Sequence, residues 1–225
     1  ERFWVEVSLR SSQIGGEGRV LAVVRDITQR KIQEREIERL TRLYLTLSQV
    51  NQSIVKCRTR AELFQDICRV MVEFGKFRVA RIDELADGSN AMRPAAHYSL
   101  NATPDQPTTL WEGICELCKE AGTAGGTTLC NDSRKDPRTA RCRSVLQKFA
   151  IESCGAFPLQ LQGKTVAILG ICSCEPNFFR VEESRVLEEI ASDISYALDR
   201  LAEQERRQAA EEALASSEAL LRMMG

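Results

Sequence analysis

Residues 152–201 read ESCGAFPLQLQGKTVAILGICSCEPNFFRVEESRVLEEIASDISYALDRL. Ser153–Leu159 is a short apolar run, Gln160–Lys164 supplies a tight turn, and Thr165–Cys172 returns as an antiparallel partner. The second run has almost no polar residue on either face, which is the pattern of a central strand covered on both sides. Glu175-Pro176-Asn177 stops it. From Val181 onward, apolar residues recur at Val186/Leu187, Ile190, Ile194, Ala197/Leu198 and Leu201, the three-to-four spacing of a helix with one apolar face.

The wording SCGAFPLQLQGKTVAILGICSCEPNFFRVEESRVLEEIASDISYAL resembles the last hairpin and exit helix of a GAF domain, the small-molecule sensory module of bacterial signalling proteins. The likeness runs upstream through TLCNDSRKDPRTARCRSVLQKFAIES and covers roughly residues 44 to 200. It implies an α+β fold: a central antiparallel sheet of about six strands with helices on both faces, flanked by long N- and C-terminal signalling helices. On this basis the sensor domain spans 59–200, with its entry helix starting near 44 and an exit helix over 201–225.

Composition narrows the function classes. The net charge is −1 with a pI near 6.1, and no basic stripe offers a footprint for nucleic acid. No apolar run approaches the roughly 18 residues of a membrane span. A cytoplasmic segment without membrane contact is the expectation. The sequence opens inside a strand pattern and closes inside a helix pattern, so we expect a piece of a longer chain whose output domain lies elsewhere in the parent, as in two-component or cyclic-di-GMP signalling.

At the N-terminus Phe3, Val5, Val7 and Leu9 alternate with polar or aromatic neighbours, and Arg19–Asp26 follows the Gly15-Gly16-Glu17-Gly18 turn, predicting a hairpin. FWVEVSLRSS and GRVLAVVRDITQRK resemble the closing hairpin of a PAS domain, which assigns 1–28 to a truncated copy. Two strands cannot bury a core, so this piece is expected to be weakly anchored. Asp26 or Thr28 caps a helix that runs without Gly or Pro to about Arg58, giving a linker and dimerisation helix over 29–58. Ile37, Leu40, Tyr44, Leu47, Asn51 and Ile54 step by three and four, the repeat of a two-stranded seam, with Asn51 at an a-type position where it would fix register. A parallel homodimer follows, with Leu187, Ile190, Ile194 and Leu201 continuing the seam on the last helix. The same spacing also suits a surface helix packed on its own domain.

Between these helices the pattern predicts a helix over Ala61–Phe74, strands over Phe77–Asp83 and Ala91–Tyr98 joined by an Asp87–Asn90 turn, and a loop over Ser99–Pro107. A helix over Leu110–Ala121, a strand over Thr127–Asn131 and a helix over Thr139–Ala150 complete it.

The chain has one histidine, His97, and no Ser-His or Cys-His spacing, P-loop, dinucleotide fingerprint or HExxH helix. The expectation is a protein that is not an enzyme. Nine cysteines, an odd number set inside helix and strand patterns, suit reduced thiols in a core. Cys115 and Cys118 lie on one helical face, and Cys130, Cys142 and Cys154 follow at twelve-residue intervals. In a GAF domain each of these elements borders the cavity, so the resemblance makes His97, Cys115, Cys118, Cys130, Cys142 and Cys154 the candidate ligand pocket. Four converging thiolates would bind zinc or an iron–sulfur cluster, but no second Cys-x2-Cys follows the first, and no metal site is assigned. Cys172 and Cys174 are most simply core and edge residues. Bilin attachment to Cys142 lacks the following histidine, since Arg143 stands there; Phe178 with Glu182-Glu183 echoes only half of a cyclic-nucleotide motif. The cofactor is unknown. Three readings follow: a sensory segment that binds an unidentified small molecule and relays a signal through its helices, a structural dimerisation spacer with a filled cavity, and a cysteine-based redox or metal sensor.

Overall fold

The computed structural model describes residues 3–14, 17–86, 92–100 and 107–224, with side chains described for these except 14, 17–19, 107–115 and 217–224. The expected turns at Gly15-Gly16 and Asp87–Asn90, most of the Ser99–Pro107 loop and the Cys115 side chain lie outside the described residues. The chain divides into two compact units, residues 1–42 and 43–225.

The first unit holds an antiparallel hairpin, β1 (Val5–Ile14) and β2 (Glu17–Asp26), followed by the start of helix α1 (Thr28–Lys56). The Asp26 carboxylate accepts the Thr28 N–H at 2.8 Å, and the Thr28 hydroxyl accepts the Trp4 N–H at 2.9 Å. These bonds tie the hairpin base to the helix start. Its strands nonetheless leave Val7, Leu9, Val20 and Val24 exposed, as expected for two strands with no third layer to cover them.

The second unit is built on a five-stranded antiparallel sheet in the order β4-β3-β7-β6-β5, with β3 at Val79–Leu85, β4 at Met92–Tyr98, β5 at Thr128–Cys130, β6 at Ser153–Leu161 and β7 at Lys164–Ser173. The expected sixth strand is not among the described residues. As the apolar run predicts, β7 is the central strand. Gln162 and Gly163 close the β6–β7 hairpin with φ of 52° and 76°, the mirror-image turn that matches strand twist.

Alternation along the strands divides the side chains between two layers. Ala80, Ile82, Phe157, Leu159, Ala167, Leu169 and Ile171 face helix α2 (Arg60–Glu73), the second half of α1 and the first part of α5 (Val181–Met224). Thr59 caps α2, accepting the Glu62 N–H at 3.2 Å. Val79, Ala156, Ile168 and Cys172 face the other way, toward α3 (Pro107–Ala124) and α4 (Arg143–Lys148).

Two expectations need correction. The helix expected over Thr139–Ala150 is only α4, preceded by a 3-10 turn at Pro137–Thr139, because the Thr139 hydroxyl donates to the carbonyls of Ser133 and Asp136 and so serves the loop before it. Leu187, Ile190, Ile194 and Leu201 do not form an outward seam: all four are buried in the core of this chain, since the apolar stripe of α5 is used up against its own sheet. On α1, Leu47 and Ile54 likewise pack partly against that core, whereas Tyr44 and Asn51 are exposed. In the first unit Ile37 is exposed and Leu40 half-buried.

Candidate functional site

Strand β3 reads Val79-Ala80-Arg81-Ile82-Asp83-Glu84-Leu85, and its buried first five residues carry two opposite charges two residues apart. Period-two alternation sends both to one face, the face that α3 covers. Arg81 and Asp83 form a two-pronged ion pair, Nε to Oδ2 and Nη2 to Oδ1, with side chains only 8% and 2% exposed. Register places His97 opposite Arg81 on edge strand β4 and Gly170 opposite it on β7. With no side chain at Gly170, the Cys118 sulfur sits 3.5 Å from where a Cβ would project, so α3 seats against bare strand backbone.

The rest of this face is a thiol-rich apolar layer. Cys130 pairs with Cys154 across β5–β6, and Cys154 pairs with Cys172 across β6–β7, so three cysteines make one row over three neighbouring strands. All are at most 2% exposed. The neighbouring Cys172 thiol and burial hold the Cys154 thiol protonated, well above the usual thiol range. Cys130 is pushed up to about 12 by burial and by the Asp136 carboxylate that accepts its S–H. Asp136 is drawn down to about 2 by Arg138, which donates Nε to Oδ1 at 3.0 Å and Nη2 to Oδ2 at 2.6 Å. Cys142, at the start of α4, donates to the Thr139 carbonyl at 3.2 Å, and burial raises it too. Leu117, Cys118, Ala121, Leu146 and Ile151 close over the row.

Of the expected pocket residues, Cys118, Cys130, Cys142 and Cys154 share this layer, and His97 lies exposed beside Arg81, with the Gln65 amide on its carbonyl at 3.4 Å. Cys172, taken from the sequence as plain core, belongs to the row. Arg81 and Asp83 went unread as site residues, although two charges inside an apolar strand are a legible signal. Among the described residues, no group of three or more His, Cys, Asp or Glu is arranged to hold a metal ion. A row along neighbouring strands cannot wrap one centre tetrahedrally.

A second connection ties this layer to α5. The Asn131 amide bridges the Phe179 backbone, donating to its carbonyl at 2.8 Å and accepting its N–H at 2.9 Å, while Asn177 N–H donates to the Asn131 carbonyl at 3.0 Å. The segment just after Cys130 is thus stitched to the start of the exit helix. No described helix is long and apolar enough to cross a membrane.

The chain is similar in fold to a free methionine-R-sulfoxide reductase from Neisseria meningitidis in complex with its substrate, with a TM-score of 0.57 and 18% identity over 71% of this chain and 91% of that one. A Staphylococcus aureus fRMsr, also with substrate, gives 0.55 at 15% identity over 69% and 95%. A GAF domain of A. aeolicus in an inactive state gives 0.53 at 13% identity over 73% and 98%. No curated protein matches the chain. These reductases overturn the expectation that the chain is not an enzyme: the fold includes enzymes, so the lack of familiar catalytic motifs excludes nothing. The GAF-domain profile matches residues 57–199, well over half of the sequence, and the chain belongs to the GAF-domain family.

Proposed function

We propose that residues 57–199 form a sensor domain that takes a small zwitterionic ligand of the free amino-acid class above Arg81 and Asp83. The observation that carries this is the buried Arg81–Asp83 pair. Desolvating two charges costs several kcal/mol, and apolar residues of similar volume often stabilise a core better, so packing alone gives no reason to keep them. A ligand carboxylate would take the Arg81 fork and a ligand ammonium would take Asp83, each replacing its present partner. Free methionine-R-sulfoxide, named by the reductases of this fold, is the first probe of that class.

Occupancy is relayed through the segments that join the covering layer to α5, Asn131 among them, and on to an output domain in the same parent chain. The outward line of α1, with Tyr44, Ser48, Asn51 and Val55, supports a parallel homodimer that would pass the signal between protomers. The likeness of the N-terminal hairpin to a PAS domain fits a tandem sensor.

Calorimetry with free methionine-R-sulfoxide and with unmodified methionine tests the ligand class. Binding is expected for the wild type and lost in Arg81→Met/Asp83→Leu, a change expected to keep the fold. Binding that survives this replacement, or no binding of either compound, refutes the assignment. Consumption of the sulfoxide in the presence of a dithiol reductant, followed in the same samples, distinguishes turnover from binding.

A further inference from the structure

The cysteines of this layer are not equivalent. Cys130 spends its S–H on the Asp136 carboxylate, which Arg138 holds in place. Cys142 spends its own on the Thr139 carbonyl. Cys154 has the Cys172 sulfur beside it. The two residues stand directly opposite each other on adjacent antiparallel strands. Opposite residues in such a ladder have Cα atoms about 4.5 or about 5.5 Å apart, depending on the pair type, and a disulfide accepts about 4.4–6.8 Å. Pro158, which has no N–H to give, stands opposite Ile168 four residues along the same unbroken register, so Pro158–Ile168 and, by alternation, Cys154–Cys172 are pairs of the closer, non-hydrogen-bonded type, the type a disulfide spans without moving the strands. Both side chains lie on one face, so their Cβ vectors run side by side.

We propose that Cys154 and Cys172 form a redox-active dithiol that closes to a cross-strand disulfide when the domain meets a hydroperoxide. Once the layer opens, one thiol gives its proton to water and attacks the peroxide as the thiolate; the O–O bond breaks, the hydroxide that leaves from hydrogen peroxide takes up that proton to become water, and the attacking sulfur is oxidised to a sulfenic acid. The second thiol attacks it, the S–O bond breaks and a second water leaves. The protein loses two thiol hydrogens and two electrons, and the peroxide is reduced. Burial and the covering helices α3 and α4 make the step slow, because the thiols must meet the oxidant through an opening of that layer. Cys174, exposed two residues on, reacts faster but points to solvent. This assignment is independent of the zwitterion site and survives its failure.

The test uses the full chain carrying Cys174→Ser, treated with hydrogen peroxide, alkylated under denaturing conditions and digested without reductant. The expected result is a peptide pair joined through Cys154 and Cys172, absent before treatment and abolished by dithiothreitol. Two thiols still free to alkylate, either residue oxidised to sulfinic or sulfonic acid without a bridge, or a bridge through Cys118, Cys130 or Cys142 instead would each overturn the proposal. Because the mapping reads the unaltered pair, it does not depend on core variants folding. Where Cys172→Ser does fold, it should abolish the bridge and leave Cys154 as a sulfenic acid that a dimedone probe captures.

Discussion

Asp136 shows how much one side chain can hold. Its carboxylate, 13% exposed, accepts the Arg138 guanidinium, the Arg138 N–H at 2.9 Å and the Cys130 thiol, which pins the loop after β5 under the covering layer. Its pKa is lower in the folded protein, about 2 against 3.8, so its stabilisation is complete above the unfolded value and is lost as pH falls from about 4 to about 2. A shift of that size amounts to about 2 kcal/mol. Asp136→Asn is expected to lower the urea midpoint near neutral pH and to flatten the decline below about pH 4; equal acid sensitivity in both proteins would count against this account. Ile168 tests the core beneath the same layer. It is fully buried on central strand β7, so Ile168→Ala should cost about 2 to 5 kcal/mol in denaturant unfolding. A loss under about 1 kcal/mol would remove β7 from the centre of the core.

The β6–β7 hairpin is set by its turn and by α5 together. Gln162 takes a left-handed φ that a non-glycine side chain resists, yet its N–H is held at 2.7 Å by Asp199 of α5, and Gln160 N–H is held at 2.9 Å by Ser195. Gln162→Asn keeps that N–H and suits the turn better, so the melting temperature should rise, by up to about 1 kcal/mol in stability. A fall would show that the Gln162 side chain makes a contact the turn depends on. Elements with a strong apolar period were legible in the sequence: α2, β3, the β6–β7 hairpin and α5 fall within a few residues of expectation. Helix α4 was not, because Thr139 is drawn into hydrogen bonds with Ser133 and Asp136 that are local to the fold and invisible to periodicity.

For the molecule as a whole, the proposed dimer rests on a narrower line than heptad counting suggests. Leu43, Thr46, Val50 and Ser53 turn inward, which leaves Tyr44, Asn51 and Val55 as the face available to a second copy. Val55→Glu should shift sedimentation at micromolar concentration from dimer to monomer, and Asn51→Leu should raise stability while loosening register. A wild type that sediments only as monomer would end the dimer reading. The sequence by itself determined the antiparallel α+β architecture, the place of β7 in the sheet and the apolar stripes of α2 and α5, though not the inward face of α1, because burial of apolar surface leaves a period of two or 3.6 that needs no partner to be read. Only the tertiary structure decided which apolar stripes remain free and which residues share a site. The α5 stripe meets its own sheet, Arg81 meets Asp83, and Cys130, Cys154 and Cys172 fall into one row, since strand order and register, not spacing along the chain, bring residues from β5, β6 and β7 side by side.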